Sequence, residues 1–267
     1  LPRANDDELT AEERSSAMAA MTSIAVAGGE REQLLEILHR MLNHHELRYR
    51  SVQCLRDLKD QRSASPLAIQ LAYVEEDFVL RAILAALAEL PRSADAIKGL
   101  LAYRPAAEFE DDYVKALASQ VGTEDSDLVR SVATGMEKKD MLRIAFRLLD
   151  GFPRTELAAA SSAALERDYA RVLAKWLLQA ELDGGQIARA EDALARLAQL
   201  EEDEPKEGIW PFLQVKLSLK LERPDDADVV LQRLFDLIKA GGLVSPEIQA
   251  ELPELAAVIR PFGETDG

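Results

Sequence analysis

The sequence predicts an all-α protein, a right-handed superhelix of about fourteen or fifteen antiparallel helices. Alanine and leucine dominate the 267 residues while aromatic residues make up only 5%, so the intrinsic propensity is helical and we expect no sheet. The connections between the predicted helices are short, which favours antiparallel neighbours. A segment that recurs 37 residues later (227 minus 190) indicates a helical repeat array.

The repeated segment covers residues 190–200 and 227–237. Small and apolar residues match in register between the two copies, and so does one arginine: Ala190 with Ala227, Leu194 with Leu231, Arg196 with Arg233, Leu197 with Leu234, and Leu200 with Leu237. A fixed offset over several positions is typical of units that are too small to bury their own apolar face and stack on their neighbours.

The charge composition argues against nucleic acid as a partner. The chain has 32 Lys and Arg against 48 Asp and Glu, which gives a net charge of −16, and the acidic excess extends over both halves. A protein that neutralises phosphates needs clustered basic residues. We therefore expect neither nucleic acid nor an anionic membrane surface to bind.

Cys54 is the single cysteine of the sequence, which excludes an internal disulfide.

The most apolar early stretch, residues 17–29, is too short to span a bilayer and follows acidic rather than basic residues. We therefore expect no direct membrane insertion. Because the chain begins at Leu1 instead of Met, we expect a processed product or an excised segment. The localisation stays open between the cytoplasm and an exported or membrane-tethered protein, and the oligomeric state is unknown.

The first helices are bounded by capping and glycine signals. Thr10 and Glu13 have the spacing of a capping box, which predicts a helix from there to the glycine pair at Gly28. The next helix, residues 30–43, has leucine and isoleucine at helical spacing along one face.

Helices and short turns alternate from residue 47 to residue 182. Ser65 before Pro66 predicts an N-cap followed by proline at the first helical position, Ser93 predicts another N-cap, and Gly122 predicts a helix end. The predicted helices cover residues 47–58, 66–74, 78–90, 94–103, 105–122, 126–136, 140–150, 154–165 and 167–182.

The C-terminal part contains the repeated helices and a predicted cap. The pairs Gly184-Gly185 and Gly241-Gly242 are predicted to end helices. Ser245 and Pro246 then begin the last helix, which Pro253 is expected to kink or split. We interpret residues 241–267 as a capping helix and tail, because a repeat array must cover its last apolar face.

Residues 74–91, VEEDFVLRAILAALAELP, resemble the second helix of a HEAT-type repeat, with acidic turn residues, the pair Leu80-Arg81, and then alanine and leucine at core spacing. A basic residue recurs at irregular intervals at Arg50, Arg81, Lys115, Arg143 and Arg171. The resemblance implies HEAT-like helical repeats over residues 10–166, after a flexible acidic N-terminus of residues 1–9.

The C-terminal part resembles tetratricopeptide repeats instead. Gly185, Ala190, Leu194 and Leu197 occupy the positions at which that family has its turn glycine and the packing residues of its second helix. The second copy departs from the family pattern, because Glu222 stands at the glycine position. This resemblance implies tetratricopeptide-like repeats over residues 167–240.

No pattern of catalytic, cofactor-binding or metal-ligating residues stands out. His39, His44, His45 and Glu46 lack the i, i+4 spacing of helical chelation. The acidic residues at 108–112 are interpreted as complementing a helix dipole, and no nucleotide-binding or hydrolase motif occurs. We therefore predict no catalytic residue, no cofactor and no metal.

The predicted function is that of a non-enzymatic scaffold or adaptor, which binds a protein or peptide on the surface of its repeats. Two alternatives stay open. One is an enzyme or enzyme subunit on a helical-repeat scaffold, similar to the helical-repeat lyases, and the other is a structural spacer in a larger assembly.

The predicted binding site is a strip of four residues on the helices that precede the repeated segments. A projection at about 100° per residue gives each helix two apolar faces, which include Trp176 in one copy and Trp210 in the other, so we expect both tryptophans in the core. Between these faces, in matching register, lie the strip residues Lys175, Gln179, Phe212 and Lys216. Phe212 has no apolar neighbour in this projection, which suggests an exposed contact residue.

Overall fold

The computed structural model describes residues 10–27, 31–154 and 157–259. Over these residues the chain forms fourteen α-helices and two short 3-10 helices. Extended pairing within the same residues is limited to an isolated bridge between Glu207 and Leu243. The predicted all-α class is therefore confirmed.

The chain divides into two units, each with its own internal contacts. Unit 1 contains Leu1–Met136 and Gly151–Pro153, and unit 2 contains Glu137–Asp150 and Arg154–Gly267. The helices of unit 1 are α1 (Ala11–Val26), α2 (Arg31–Met41), α3 (His45–Leu58), α4 (Ala64–Gln70), α5 (Asp77–Glu89), α6 (Ala94–Ala102), α7 (Glu110–Val121) and α8 (Ser126–Glu137), whose last residue belongs to unit 2.

Alternate helices of unit 1 stack on one another. The first layer is α1, α3, α5 and α7, each in contact with the next, and in the second layer α4 packs on α6. Gln120, fully buried on α7, ties the stack together: its amide nitrogen donates to the backbone carbonyls of Leu87 and Leu90, and its amide oxygen accepts from the Ser93 N–H. Contacts between helices two apart are typical of stacked helical hairpins.

Unit 2 shows the same alternation. Its helices are α9 (Leu142–Asp150), α10 (Ala159–Gln179), α11 (Gly184–Asp203), α12 (Ile209–Lys220), α13 (Pro224–Lys239) and α14 (Pro246–Ile259). The helices α10, α12 and α14 pack on one another in sequence, and each of α11 and α13 packs on both of its neighbours along the chain.

The two copies of the repeated segment lie on α11 and α13 in matching environments. Ala190 and Ala227 are fully buried, and so are Leu197 and Leu234. Capping signals are confirmed at three helix starts: Thr10 with Glu13, Ser93, and Ser245.

Two predictions of helix starts and breaks in the middle of the chain are wrong. The start at Ser65 is wrong because a 3-10 turn capped by Asp60 runs directly into α4, which places Pro66 inside the first turn, where no intrahelical acceptor awaits its nitrogen. The predicted break near residue 166 is wrong because α10 is continuous over 21 residues that contain neither glycine nor proline.

Two predictions near the C-terminus also differ from the structure. Gly184 and Gly185 do not end a helix: they begin α11, with the Asp183 carboxylate accepting from the N–H groups of Gly185 and Gln186. Pro253 does not split α14, which continues to Ile259. Gly241, at φ 79°, does end α13, whereas the stop at Gly28 lies outside the described residues.

Membrane-spanning potential is low in the described helices. None of those in residues 10–27, 31–154 and 157–259 combines the length and the hydropathy that a bilayer crossing requires.

Candidate functional site

The structure corrects the expected exposure of one strip residue, Phe212. Phe212 is only 6% exposed and belongs to the core cluster of unit 2, together with Ile248 and Leu252 of α14. The Lys216 ammonium lies 5.2 Å from the centre of the Phe212 ring and pairs with Glu251 at 2.7 Å. The prediction that Phe212 faces solvent is therefore wrong, because α14 covers the sector that the isolated projection of α12 left open.

The other half of the strip has different partners. Lys175 pairs with Glu137, and the Gln179 side-chain nitrogen donates to Asp140 at 2.8 Å. The two halves of the strip thus make separate intramolecular contacts. Trp210 is 4% exposed, as expected for a core residue, whereas Trp176 is half-buried.

Two of the histidines and one residue of the acidic turn have structural partners on other elements of unit 1. His39 shares a hydrogen bond of 3.3 Å with Ser63, and burial lowers its pKa. His45 contacts Glu76 at 2.6 Å, and Asp112 pairs with Arg81 at 2.7 Å. No set of three metal-ligating side chains converges in the part of the chain that the structure describes.

Unit 1 has a cleft between α4 and α6; we call it the α4/α6 cleft. It encloses about 390 Å³. The two helices approach closely on its floor, since a Cβ atom built on Gly99 would stand 2.4 Å from the Ala68 Cβ atom. Its walls carry Tyr73, Tyr103 and Ile69, and its polar rim carries Asp95 and Lys98.

Large apolar side chains at this cleft face solvent. Tyr73 is 71% exposed and Ile69 is 56% exposed. Tyr103, on the α6 side of the cleft, packs on Tyr113, whose hydroxyl donates to the Leu100 carbonyl at 2.7 Å. Burial raises the pKa of both phenols. The cleft therefore offers an apolar recess whose lining includes the tyrosines Tyr73 and Tyr103.

Sequence reasoning did not find this site. Ile69 and Tyr73 lie about thirty positions from the α6 residues opposite them, and no local pattern in the sequence pairs α4 with α6. The available signal was Gly99, a glycine inside a predicted helix, which often marks a close approach of another backbone.

A second concentration of chemistry lies in unit 2, where aromatic rings alternate with arginines; we call it the arginine–aromatic cluster. Its members are Phe146, Arg154, Tyr169, Trp176, Arg189 and Arg196. Phe146 and Trp176 are stacked with ring centres 4.8 Å apart. The guanidinium groups of Arg154 and Arg196 each lie over the Tyr169 ring, 4.6 and 5.0 Å from its centre.

Carboxylates pair with or accept hydrogen bonds from several members of this cluster. Glu166 pairs with both Arg154 and Arg196, and the Tyr169 hydroxyl donates to Asp150 at 3.2 Å. Burial, with the negative charge of Asp150, raises the pKa of Tyr169 to about 12. Tryptophan, tyrosine and arginine are the residues that contribute most energy at protein interfaces.

Comparisons with protein-family models, with curated proteins and with solved structures found no match.

Proposed function

We propose that the protein is a non-enzymatic scaffold or adaptor that binds a partner protein, and that the α4/α6 cleft receives an apolar side chain of that partner. One observation carries the proposal: Tyr73 and Ile69, both more than half exposed, border an apolar recess of about 390 Å³. Exposed apolar residues around a concave site are typical of surfaces that a partner covers.

The proposal includes a helical-repeat architecture, HEAT-like over residues 10–166 and tetratricopeptide-like over residues 167–240, wound as a right-handed superhelix. The alternating helix contacts within each unit support it. The shared burial of Leu197 and Leu234 supports a repeat in unit 2. Such repeats present extended surfaces for partner proteins.

A photo-crosslinking experiment tests the cleft. A benzoylphenylalanine at position 73 is expected to crosslink one defined protein in lysate of the native source, and Ile69→Asp on the same chain is expected to abolish that product. The matched control carries the crosslinker at Val229, which is 65% exposed on α13 in unit 2. An identical crosslinking pattern at positions 73 and 229, or a product that Ile69→Asp leaves unchanged, contradicts the proposal.

Affinity purification of the full chain from the same source separates the proposal from its alternatives. A stoichiometric protein partner that Ile69→Asp removes supports the scaffold. A bound small molecule in native mass spectra, retained by Ile69→Asp, supports the enzyme alternative instead.

A further inference from the structure

Arg189 differs from the other arginines of unit 2 in its partners. Arg154, Arg196 and Arg223, for example, each pair with a glutamate. Among the residues that the structure describes, the Arg189 guanidinium contacts only aromatic rings, 5.5 Å from the centre of Phe146 and 5.6 Å from that of Trp176. Its side chain is exposed, so its N–H donors face solvent.

The two rings restrict the guanidinium before any ligand arrives. Phe146 and Trp176 stack on each other, and Arg189 lies over both. Cation–π contact leaves the edge of the guanidinium plane available while it limits the motion of the side chain. A ligand therefore meets a receptor whose ordering cost is already reduced.

The edge of a guanidinium is matched to a carboxylate, which accepts two parallel N–H bonds. The local charge also suits an anion. Residues 137–196 contain equal numbers of basic and acidic residues, whereas the whole chain has a net charge of −16. An anionic ligand therefore meets less repulsion at this segment than the net charge of the whole chain implies.

We propose that Arg189 binds the carboxylate of a glutamate or aspartate side chain in an acidic segment of a partner polypeptide, with an apolar neighbour of that residue lying against Trp176. The inference rests on the proposed function in taking the ligand to be a protein, but it concerns a site in unit 2. Its test uses no residue of the α4/α6 cleft, so the two proposals fail independently.

The test is an NMR titration of the full chain with a short peptide of alternating glutamate and leucine, blocked at both ends. We expect the peptide to shift the Arg189 Nε–Hε signal and the Trp176 indole signal. The same peptide with glutamine in place of glutamate is expected to bind at least about tenfold more weakly, because the charge-assisted bidentate bonds are lost. Equal affinity for the two peptides overturns the proposal.

Variants and anions locate the interaction. Arg189→Gln is expected to abolish binding and Arg189→Lys to weaken it, since lysine keeps the charge but not the planar fork. The control is Arg223→Gln, which removes an arginine that pairs with Glu191 in the same unit and should leave the affinity unchanged. If Arg223→Gln lowers the peptide affinity as much as Arg189→Gln does, binding depends on net charge and the proposed site is wrong.

Two further arms distinguish the source of the anion. If inorganic phosphate shifts the Arg189 signal while the glutamate peptide does not, the carboxylate assignment is wrong. If the glutamine peptide with a free C-terminus binds as tightly as the blocked glutamate peptide, the ligand is a terminal carboxylate and not a side chain. If Arg189→Gln loses its helical circular dichroism and is therefore unfolded, the comparison of the glutamate and glutamine peptides on the unaltered chain still tests the proposal.

Discussion

Gly99 is a position in unit 1 at which the packing leaves no room for a side chain. A methyl group there would stand 2.4 Å from the Ala68 Cβ atom and 3.4 Å from its backbone, so α4 and α6 would have to separate. We expect Gly99→Ala to lower the free energy of unfolding by about 1–3 kcal/mol, in the range typical of overpacked cores. Urea denaturation measures the change.

The control for this substitution is Gly184→Ala. Gly184 also lies within a helix, but a Cβ atom there meets no other atom within 4 Å, so its stability should change by less than about 0.5 kcal/mol. If Gly99→Ala proves equally neutral, the close approach of α4 and α6 does not exist in solution.

Asp60 gives a pH-dependent contribution to stability. Hydrogen bonds from Arg62, with the nearby charges of Arg62 and Arg31, lower its pKa from 3.8 to about 2. A depressed carboxyl pKa stabilises the fold above the unfolded pKa, and this contribution is lost as the pH falls from about 4 to about 2. Because the Arg62 side chain is 55% exposed, solvent screening keeps the effect below about 1 kcal/mol.

The measurement compares the unaltered chain with Asp60→Asn in urea at pH 7 and at pH 2. We expect the chain to be more stable than the variant at pH 7 and the difference to be clearly smaller at pH 2, where the Asp60 carboxylate is partly protonated in the folded state. A difference as large at pH 2 as at pH 7 would mean that the Asp60 carboxylate charge is not what stabilises the turn.

Individual side chains were the least predictable level of the structure. The sequence indicated the burial of Trp210 correctly because that residue shares a stripe with leucines, but it placed Phe212 on the surface. The error has a physical cause: the exposure of a residue on α12 depends on α14, some thirty-five positions later in the chain. For the same reason the sequence did not indicate the cleft beside Tyr73 and Ile69, because α6 forms its other side.

At the scale of helices, the 37-residue duplication makes a quantitative prediction. Leu197 on α11 and Leu234 on α13 are both fully buried at equivalent positions. We expect Leu197→Ala and Leu234→Ala to destabilise the protein by similar amounts, each about 2–5 kcal/mol, as is usual for a buried leucine. Denaturant unfolding followed by tryptophan fluorescence reports both changes.

Val229→Ala is the matched control on α13, because this side chain is 65% exposed and its truncation should cost less than about 0.5 kcal/mol. A large cost at only one of the two leucines would argue that the duplicated segments are alike in sequence without being structural repeats.

Helix existence was more predictable than helix boundaries. Caps at Thr10 and Ser93 were found because their hydrogen bonds lie within one turn of sequence. The start of α4 was predicted wrongly from Pro66, because proline is compatible with any position in the first turn and so does not fix the first residue of the helix. The break expected in α10 had no glycine or proline to support it.

At the scale of the whole chain, composition predicted the all-α class, since alanine and leucine favour helices wherever they pack. The same composition predicts a solubility minimum. The chain carries a net charge of −16 at pH 7 and has a pI of about 4.7, and proteins near zero net charge associate. Turbidity at pH 4.7 is expected to exceed that at pH 7, and a clear solution at the pI would contradict this expectation.

Cys54, the one cysteine of the sequence, lies in unit 1, and the two tryptophans, Trp176 and Trp210, lie in unit 2. Intrinsic tryptophan emission therefore reports on unit 2 and is silent about unit 1. The rate at which a thiol reagent reaches Cys54, which is 2% exposed, reports on the opening of unit 1. The native chain thus carries one spectroscopic and one chemical reporter, and a single denaturation series can follow the two units separately without any substitution.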